Sequence, residues 1–440
     1  MSKLWQKSPA QQPHPLLEAF TVGEDPRLDL RILPFDILAS RAHAEGLRSI
    51  GILSKEELSL LLHALTALEK DVKKGRVTIT PEDEDCHTVI ENFLTKELGP
   101  LGGKIHTGRS RNDQVLTALR LFMQERLAVI RTAALGLAQA FLARAKKHEN
   151  VPFPGYSHTQ QAMLSSLGHY YGSFVEALLE DCELLDAIAG HVDRNPLGSA
   201  AGFGVALPLD REGTTEKLGF RKLQWNSLSC QASRGKYESA YLEGLGQLML
   251  TLGRFATDML FFTARECDYF SVPDALVTGS SIMPQKRNLD GLEILRGYVS
   301  VVTGNQHAIQ GISSKLLSGY NRDLQLLKKP VIESSDIVLQ SLQVAKLYVE
   351  GCVPKKERIA ASITPGIFLA DVATALAKEK NIPFREAYRQ AEKEQKGVPD
   401  FAANLRSKVS PGAPGNLDLG RYRRMIASMK ARPSGSSATS

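Results

Sequence analysis

Residues 115–150, VLTALRLFMQERLAVIRTAALGLAQAFLARAKKHEN, decide the fold class. The stretch has no proline and a single glycine, and its apolar residues recur at steps of three and four, the repeat of one helix face. Similar runs follow at about residues 157–194, 237–266, 290–312 and 323–350, and Pro330 is expected to kink the last of them. Helices of about 30 residues are near 45 Å long, so several laid antiparallel predict an elongated all-α bundle.

Several of these helical runs are apolar on more than one side, as at residues 245–250 (LGQLML). A helix that is buried on more than one side needs partners beyond its own small bundle. We therefore infer a homo-oligomer whose helices pack into a larger shared core. Small residues on the runs could permit close helix approach, or could be tolerated at modest cost; they are Gly168, Gly172, Gly244 and Gly246.

Composition limits the class of protein. Hydrophobic residues make up 43% of the 440 residues and charged residues 23%, which is enough for a sizeable core. The net charge of +6 comes without a dense Lys/Arg block, which argues against a nucleic-acid-binding protein. The N-terminus has no secretory-signal pattern, and charged residues are expected to break the longest apolar stretches well short of a membrane span. These features predict a soluble, cytoplasmic protein without a membrane partner.

The cysteines are odd in number and widely scattered, and no two form a C-x-x-C pair; they are Cys86, Cys182, Cys230, Cys267 and Cys352. This pattern indicates buried, reduced thiols, with neither a disulfide framework nor a zinc site.

Three domains are expected along the chain. Residues 1–105 form an N-terminal helical domain that proline and glycine interrupt more often, and residues 106–352 form the central long-helix bundle. Residues 353–440 form a small C-terminal helical domain, whose low-complexity tail from Pro433 is predicted to be disordered.

Residues 279–288, GSSIMPQKRN, are the strongest functional signal. A glycine and two hydroxyls precede a rigid Met-Pro step, which a cation and an amide follow. Such a loop can fold over an anion, direct backbone N–H groups at it and swing a serine into place. A surface turn would account for the Gly-Ser-Ser alone but not for the ordered residues after it. We therefore favour a functional loop.

Two further polar segments stand at predicted helix starts. Residues 106–114, HTGRSRNDQ, crowd two arginines and an amide ahead of the first long helix, which favours an anion site over a simple cap made by Ser110 or Asn112. Residues 155–162, GYSHTQQA, place His158 among hydroxyls and amides at the predicted start of the second run, where it can titrate or hydrogen-bond.

Two other clusters are weaker. Tyr320, Gln325 and Lys328 could line the wall of a polar pocket, although their spacing is common on solvated helices. Asp85 and His87 are interpreted as structural, because one carboxylate and one histidine make a poor metal site.

Together these segments resemble a known family. Residues 279–288 are similar to the signature loop of the fumarase/aspartase superfamily, and residues 106–114 resemble the segment that distinguishes argininosuccinate lyases and their δ-crystallin relatives. Gln285 agrees, since fumarases and aspartases carry glycine there and adenylosuccinate lyases histidine. Residues 195–202 and 319–328 also look like argininosuccinate lyase stretches; the similarity runs from about Leu4 to Phe384 and fades in the C-terminal portion.

The resemblance implies an all-α protomer of three domains whose central bundles build a homotetramer. Each active site would collect the segments around Arg111, His158 and Ser280 from three different subunits. Its reaction would be the reversible elimination of argininosuccinate to arginine and fumarate, without a metal or an organic cofactor.

The resemblance also assigns roles to residues. Ser280 takes the position of the catalytic serine, His158 that of the catalytic histidine and Glu293 that of the carboxylate that orients it, while Lys286 and Asn288 match groups that bind the succinyl carboxylates. Other residues fall on substrate-contacting positions; these are Ser110, Arg111, Asn112, Ser157, Tyr320, Gln325 and Lys328. Departures from the family pattern are Thr159, where leucine is usual, and Leu289, where proline is usual.

Some choices stay open at this point. Ser280 is favoured as the base and His158 as the acid, but the reverse assignment is an alternative. The alternatives in function are another fumarate-releasing lyase of the adenylosuccinate lyase type, a non-catalytic crystallin-like protein, and a hydrolase built on Ser280 and Lys286.

Overall fold

The structure, a computed structural model, describes residues 14–395 and 397–431, so the tail from Pro433 that was predicted to be disordered lies outside the described residues. The α-helices are α1 (Pro15–Val22), α2 (Asp25–Ser49), α3 (Lys55–Lys73), α4 (Cys86–Leu98), α5 (Pro100–Gly103), α6 (Arg111–Lys147), α7 (Leu167–Val192), α8 (Arg211–Lys217), α9 (Ser227–Ala232), α10 (Lys236–Thr263), α11 (Asp290–Ser313), α12 (Lys328–Gly351), α13 (Lys356–Ser362), α14 (Leu369–Glu379), α15 (Phe384–Glu394), α16 (Phe401–Ser407) and α17 (Leu419–Ala431). The short strands are β1 (Pro152–Ser157), β2 (Gln160–Ser166), β3 (Arg194–Asn195), β4 (Lys222–Leu223), β5 (Phe270–Ser271) and β6 (Val353–Pro354).

The predicted all-α architecture is confirmed. Five long helices, α6, α7, α10, α11 and α12, form the central bundle of the described chain, in which α6 packs on α7 and α12, and α10 packs on α7, α11 and α12. The ring of Phe141 stacks on Phe174 and meets Phe255 edge-on, each at 5.1 Å between centroids, which joins α6, α7 and α10. Full burial of each such ring contributes about 1.5–3 kcal/mol.

The segment around His158 differs from its prediction as a helix start. β1 and β2 pair as an antiparallel hairpin, and His158 and Thr159 form its two-residue turn with φ of 53° and 60°. Prolines in β1 disfavour a helix there, and β2 buries Leu164 in a cluster with residues of the C-terminal part, Ile363, Ile367, Phe368 and Leu405. Helix α7 therefore begins only at Leu167, with Ser166 as its N-cap.

Pro330 also differs from its prediction. A 3-10 segment, Arg322–Leu327, precedes α12, so Pro330 is the third residue of α12 and does not lie inside a longer helix. The first four N–H groups of a helix have no intrahelical partner, so a proline there costs no helical hydrogen bond.

Glycine permits close approach at two of the predicted positions, against the turn after α6 at Gly168 and against helix α7 at Gly244. A Cβ on Gly168 would lie 2.6 Å from the Cα of Glu149, and one on Gly244 would lie 2.5 Å from the Cδ1 of Ile188. Gly172 has only ordinary contacts, and a Cβ on Gly246 would meet no atom of the described chain within 4 Å.

One face of α11 has no partner within the described chain. Ile294 and Val301 are 58% and 40% exposed. Glycines alternate with them at intervals of seven residues, and a Cβ on any of these would meet nothing within 4 Å in the described chain; they are Gly297, Gly304 and Gly311. We call this exposed surface the α11 stripe.

All five thiols are buried and free, as the scattered pattern of cysteines predicts. Burial raises the pKa of Cys182 and of Cys352 to about 12, so both stay protonated and inert.

The prediction about apolar stretches needs a correction. By length and composition alone, α6 is long and apolar enough to cross a membrane, and a second candidate arises if α13 and the bent segment Pro365–Glu379 are taken as one span. In α6, 56% of the apolar stretch is buried within the chain, as expected of a core helix.

Candidate active site

A polar cavity of about 160 Å³ lies where α2, the start of α4, the start of α6 and the Arg322–Leu327 segment meet. Residues from segments that are far apart in the sequence line it. They include these predicted substrate contacts: Arg111, Asn112, Tyr320, Gln325 and Lys328. The predicted cluster at residues 319–328 therefore lies beside the segment that begins α6, on the wall of one cavity.

The start of α6 is a capping box. The Ser110 Oγ accepts the N–H of Asn112 at 3.2 Å, and the Asp113 carboxylate accepts the N–H of Ser110 at 3.0 Å. The capping alternative is therefore realised, and it occupies one of the N–H groups that an anion would have used.

The basic residues of this segment are also paired. The Arg111 guanidinium lies 2.9 Å from Glu84 and 3.1 Å from Asp85. Arg109 is buried, with Asp36 at 3.2 Å. Both arginines of the segment thus already have carboxylate partners within the chain.

Lys328 is held between two carboxylates on α2. Its Nζ lies 2.8 Å from Asp25 and 2.5 Å from Asp29. Burial acts to lower the pKa of Lys328, but the two carboxylates raise it above its usual value, so the ammonium stays charged. Burial raises the pKa of Asp25 to about 6, although Lys328 acts against this shift.

The 3-10 segment supplies an amide and a phenol ring. The Gln325 Nε2 donates to the carbonyl oxygen of Thr21 at 2.8 Å, which fixes its side chain at the cavity wall. Tyr320 is 37% exposed, and the Arg234 guanidinium lies 5.1 Å from its ring centroid. Tyr320 therefore offers a hydroxyl beside a cation.

Asp85 and His87, interpreted from sequence as structural, both line the cavity. The His87 Nδ1 lies 2.6 Å from the Asp36 Oδ2, and burial alone would lower the pKa of His87, but the charge of Asp36 raises it. We call Asp36, Cys86 and His87 the Asp36 cluster; their possible ligand atoms lie within 4.8 Å of one another. Arg109 already bonds to Asp36, and burial raises the pKa of the Cys86 thiol well above its usual range, so the cluster is built as an ion pair and fits a metal poorly.

The acidic half of the cavity is formed by Asp25, Asp29, Glu84 and Asp85. Sequence reasoning missed the first three and gave Asp85 only a structural role. Asp25 and Asp29 are four residues apart on α2, and the same face carries Asp36. Three acids among the apolar residues Leu28, Ile32 and Leu33 of one buried face would have been the signal, because a buried carboxylate needs a charged or hydrogen-bonding partner.

The signature loop is closed by a short ladder between Thr278 and Asn288, whose N–H and C=O groups exchange hydrogen bonds at 2.9 Å. Within it, the Ser280 Oγ accepts the N–H groups of Ile282 at 3.3 Å and Met283 at 3.1 Å. Two backbone donors on one hydroxyl oxygen favour its ionised form. The loop is exposed, Ile282 being 85% exposed.

The other predicted catalytic groups, and the predicted substrate contact Ser157, also lie on exposed surfaces. Ser157 and His158 are at the tip of the hairpin, Lys286 is in the loop, and Glu293 is in the first turn of α11. None of them lines the cavity, and no hydrogen bond joins His158 to Glu293 within the described part of the chain. A single chain therefore gathers the cavity residues but not the predicted catalytic set.

Comparisons with known proteins were made by sequence and by structure. A family model described as lyase matches residues 11–304. The chain is 43% identical over 95% of its length to an argininosuccinate lyase of Sorangium cellulosum, covering 96% of that protein. It is also 43% identical over 88% of its length to an argininosuccinate lyase of Thermotoga neapolitana, again covering 96% of that protein.

Among solved structures, an EDDS lyase in complex with formate superposes with a TM-score of 0.79 at 22% identity, over 94% of this chain and 89% of that one. A class II fumarase from Schistosoma mansoni superposes with a TM-score of 0.72 at 16% identity, over 96% of each chain. At this identity, the two structures establish the fold alone.

Proposed function

Because the chain belongs to the argininosuccinate lyase family, we propose that it catalyses the reversible elimination of argininosuccinate to arginine and fumarate. The observation that carries the proposal is the cavity at the start of α6, where five residues on the family's substrate-contacting positions meet. The cavity also offers carboxylates and cations side by side, which suits a substrate with an ammonium, a guanidinium and carboxylates.

The active enzyme is a homotetramer in this proposal, with each site shared among three subunits. Two observations support it. The predicted catalytic residues lie on exposed surfaces away from the cavity of their own chain, and the α11 stripe leaves an apolar face uncovered. Small residues at regular helical spacing let a second helix approach closely. The molar mass in solution, measured by light scattering, should be four times the 48.2 kDa of one chain.

The difficult step is removal of a proton beside a carboxylate, because the resulting carbanion adds a second negative charge. Ser280 acts as the base, and the Ile282 and Met283 N–H groups stabilise its alkoxide. Lys286 and Asn288 stabilise the dianion, and loss of one preorganised donor of this kind costs about 10²–10³ in rate.

His158 serves as the acid, oriented by Glu293. Since a guanidinium has a pKa above about 12, the leaving nitrogen already carries a proton, and acid assistance matters less than base strength at carbon. The reaction needs neither a metal nor an organic cofactor, and we place the enzyme in the cytoplasm with no nucleic-acid or membrane partner.

Fumarate release in the ultraviolet tests the activity directly. Purified protein with argininosuccinate should form fumarate, whereas adenylosuccinate should remain uncleaved. Ser280→Ala should lower turnover by at least about 10², while the matched variant of the neighbouring exposed hydroxyl, Ser281→Ala, should stay within a few-fold of wild type. Cleavage of adenylosuccinate would favour the rival lyase, and absence of any fumarate would favour a crystallin-like role. A Ser280→Ala variant with normal turnover would remove Ser280 from the mechanism.

A further inference from the structure

Arg234 lies in the turn between α9 and α10, and it is a cation on the cavity wall that the predicted site leaves out. It is 5% exposed, and its Nε and Nη1 have no hydrogen-bond partner in the part of the chain that the structure describes. Among the described residues, its Nη2 donates only to the carbonyl oxygen of Leu324, at 3.4 Å.

The other cavity cations have partners. Arg111 has two carboxylates, Lys328 has two carboxylates, and His87 has Asp36. Arg322 donates to the carbonyl oxygen of Thr21 at 3.0 Å. Arg234 thus differs from its neighbours in keeping buried N–H donors unused.

The nearest acidic residue in the sequence, Glu238, does not form an ion pair with Arg234. The Glu238 carboxylate caps α10 and accepts the N–H of Gly235 at 2.6 Å. Burial lowers the pKa of Arg234 and Glu238 acts against this, but no hydrogen bond joins the two side chains within the described residues. A buried guanidinium without an acceptor is costly, so a carboxylate that enters the cavity beside Tyr320 would gain strongly from it.

We propose that Arg234 binds the α-carboxylate of the arginine end of the substrate, so that the cavity selects an α-amino acid over the corresponding amine. This assignment rests on the proposed function. There the signature loop takes the succinyl carboxylates, which leaves the arginine end for the cavity. That end carries one ammonium and one carboxylate; Asp25, Asp29, Glu84 and Asp85 suit the ammonium, and Arg234 supplies the unused donors for the carboxylate.

Agmatine, which is arginine without its carboxylate, isolates this contact. Isothermal titration calorimetry of arginine and of agmatine gives a ratio of dissociation constants for each protein. A buried charge-assisted contact predicts that wild type prefers arginine by about ten- to a hundredfold. Arg234→Gln should reduce the ratio to about one to three, and Arg234→Lys, which keeps the charge but loses the planar fork, should give an intermediate ratio.

Arg322→Gln is the matched control, because it removes a guanidinium of the same cavity that already has a carbonyl partner, and it should keep the wild-type ratio. Should Arg234→Gln fail to fold, as judged by circular dichroism, the Arg234→Lys ratio decides. A wild-type ratio near one, or a ratio unchanged in the Arg234 variants, would overturn the assignment. Fumarate release by the same wild-type preparation is measured separately, so a protein without lyase activity would refute the proposed function and not the binding role of Arg234.

Discussion

Asp113 holds three backbone N–H groups on one buried carboxylate, and replacing it by asparagine should destabilise the protein measurably. Its Oδ1 accepts the N–H of Ser110 at 3.0 Å, and its Oδ2 accepts those of Gly198 and Ala200, each at 2.9 Å. The side chain is fully buried. It therefore joins the start of α6, and with it the cavity wall, to the segment of residues 195–202.

The magnitude follows from the loss of acceptors. Asparagine has the same shape, but its amide nitrogen must face at least one of the three N–H groups and leave it unsatisfied, which costs about 1–3 kcal/mol. The hydrogen bonds that remain lose their charge assistance, at about 1 kcal/mol each. The sum is about 3–5 kcal/mol. With an unfolding entropy of about 2.1 cal/mol/K per residue over 440 residues, this lowers the melting temperature by about 3–5 °C.

Scanning calorimetry at pH 7 and one fixed protein concentration measures the shift. Asp71→Asn is the matched control. Within the described residues the Asp71 side chain pairs only with the exposed Arg76, at 3.3 Å, so its loss should change the melting temperature by less than about 1 °C. Burial raises the pKa of Asp113, while the N–H groups and Arg109 act against it. If Asp113→Asn melts at the same temperature as the Asp71→Asn control, the Asp113 carboxyl is already neutral in the folded protein. The reasoning about its charge would then be refuted.

Three further outcomes are expected. Burial raises the pKa of Asp181 from 3.8 to about 6, so the folded protein holds this proton more tightly than the unfolded chain and loses stability as pH rises between those values. Asp181→Asn should therefore melt above wild type at pH 7 but not at pH 4, and an equal difference at both pH values in calorimetry would contradict this. Gly168→Ala forces a Cβ against the backbone of Glu149, in the turn after α6, and should lower the melting temperature by about 1–3 °C. Gly246→Ala, whose Cβ meets nothing in the described chain, should not lower it, and the reverse order would contradict the close contact at Gly168. Dialysis against EDTA should leave fumarate release unchanged, because the Asp36 carboxylate of the Asp36 cluster already accepts a hydrogen bond from Arg109. A loss of activity that a divalent metal restores would show that the cluster binds a metal.

The long helices could be predicted closely from sequence, because an uninterrupted three-four apolar repeat specifies one buried face. The start of α10 at Lys236 is within a residue of its prediction, and α11 begins at Asp290 as predicted. The hairpin at His158 could not be foreseen in the same way. Its two-residue turn places His158 and Thr159 in the left-handed region. Such hairpin turns are usually recognised from Asn-Gly, Asp-Gly or Gly-Gly, and the sequence has none of these there.

The candidate site shows the same division. Residues near a helix start, such as Arg111, could be chosen from sequence because local donors cluster there. The carboxylates that neutralise them could not, because Glu84 and Asp25 reach the cavity through the packing of other helices. The positively charged residues of the site could be chosen from their residue types. Which of them have hydrogen-bond partners, and that Arg234 keeps unused donors, depends on tertiary contacts.

The regular interval of the α11 stripe has a geometric consequence. On a straight α-helix, positions seven residues apart drift by about 20° around the axis with each repeat, so such a line slowly leaves any straight neighbour. Two copies of α11 that stay in contact from Gly297 to Gly311 must therefore coil around each other with a left-handed twist. Two α11 helices paired in this way should be supercoiled and not straight and parallel.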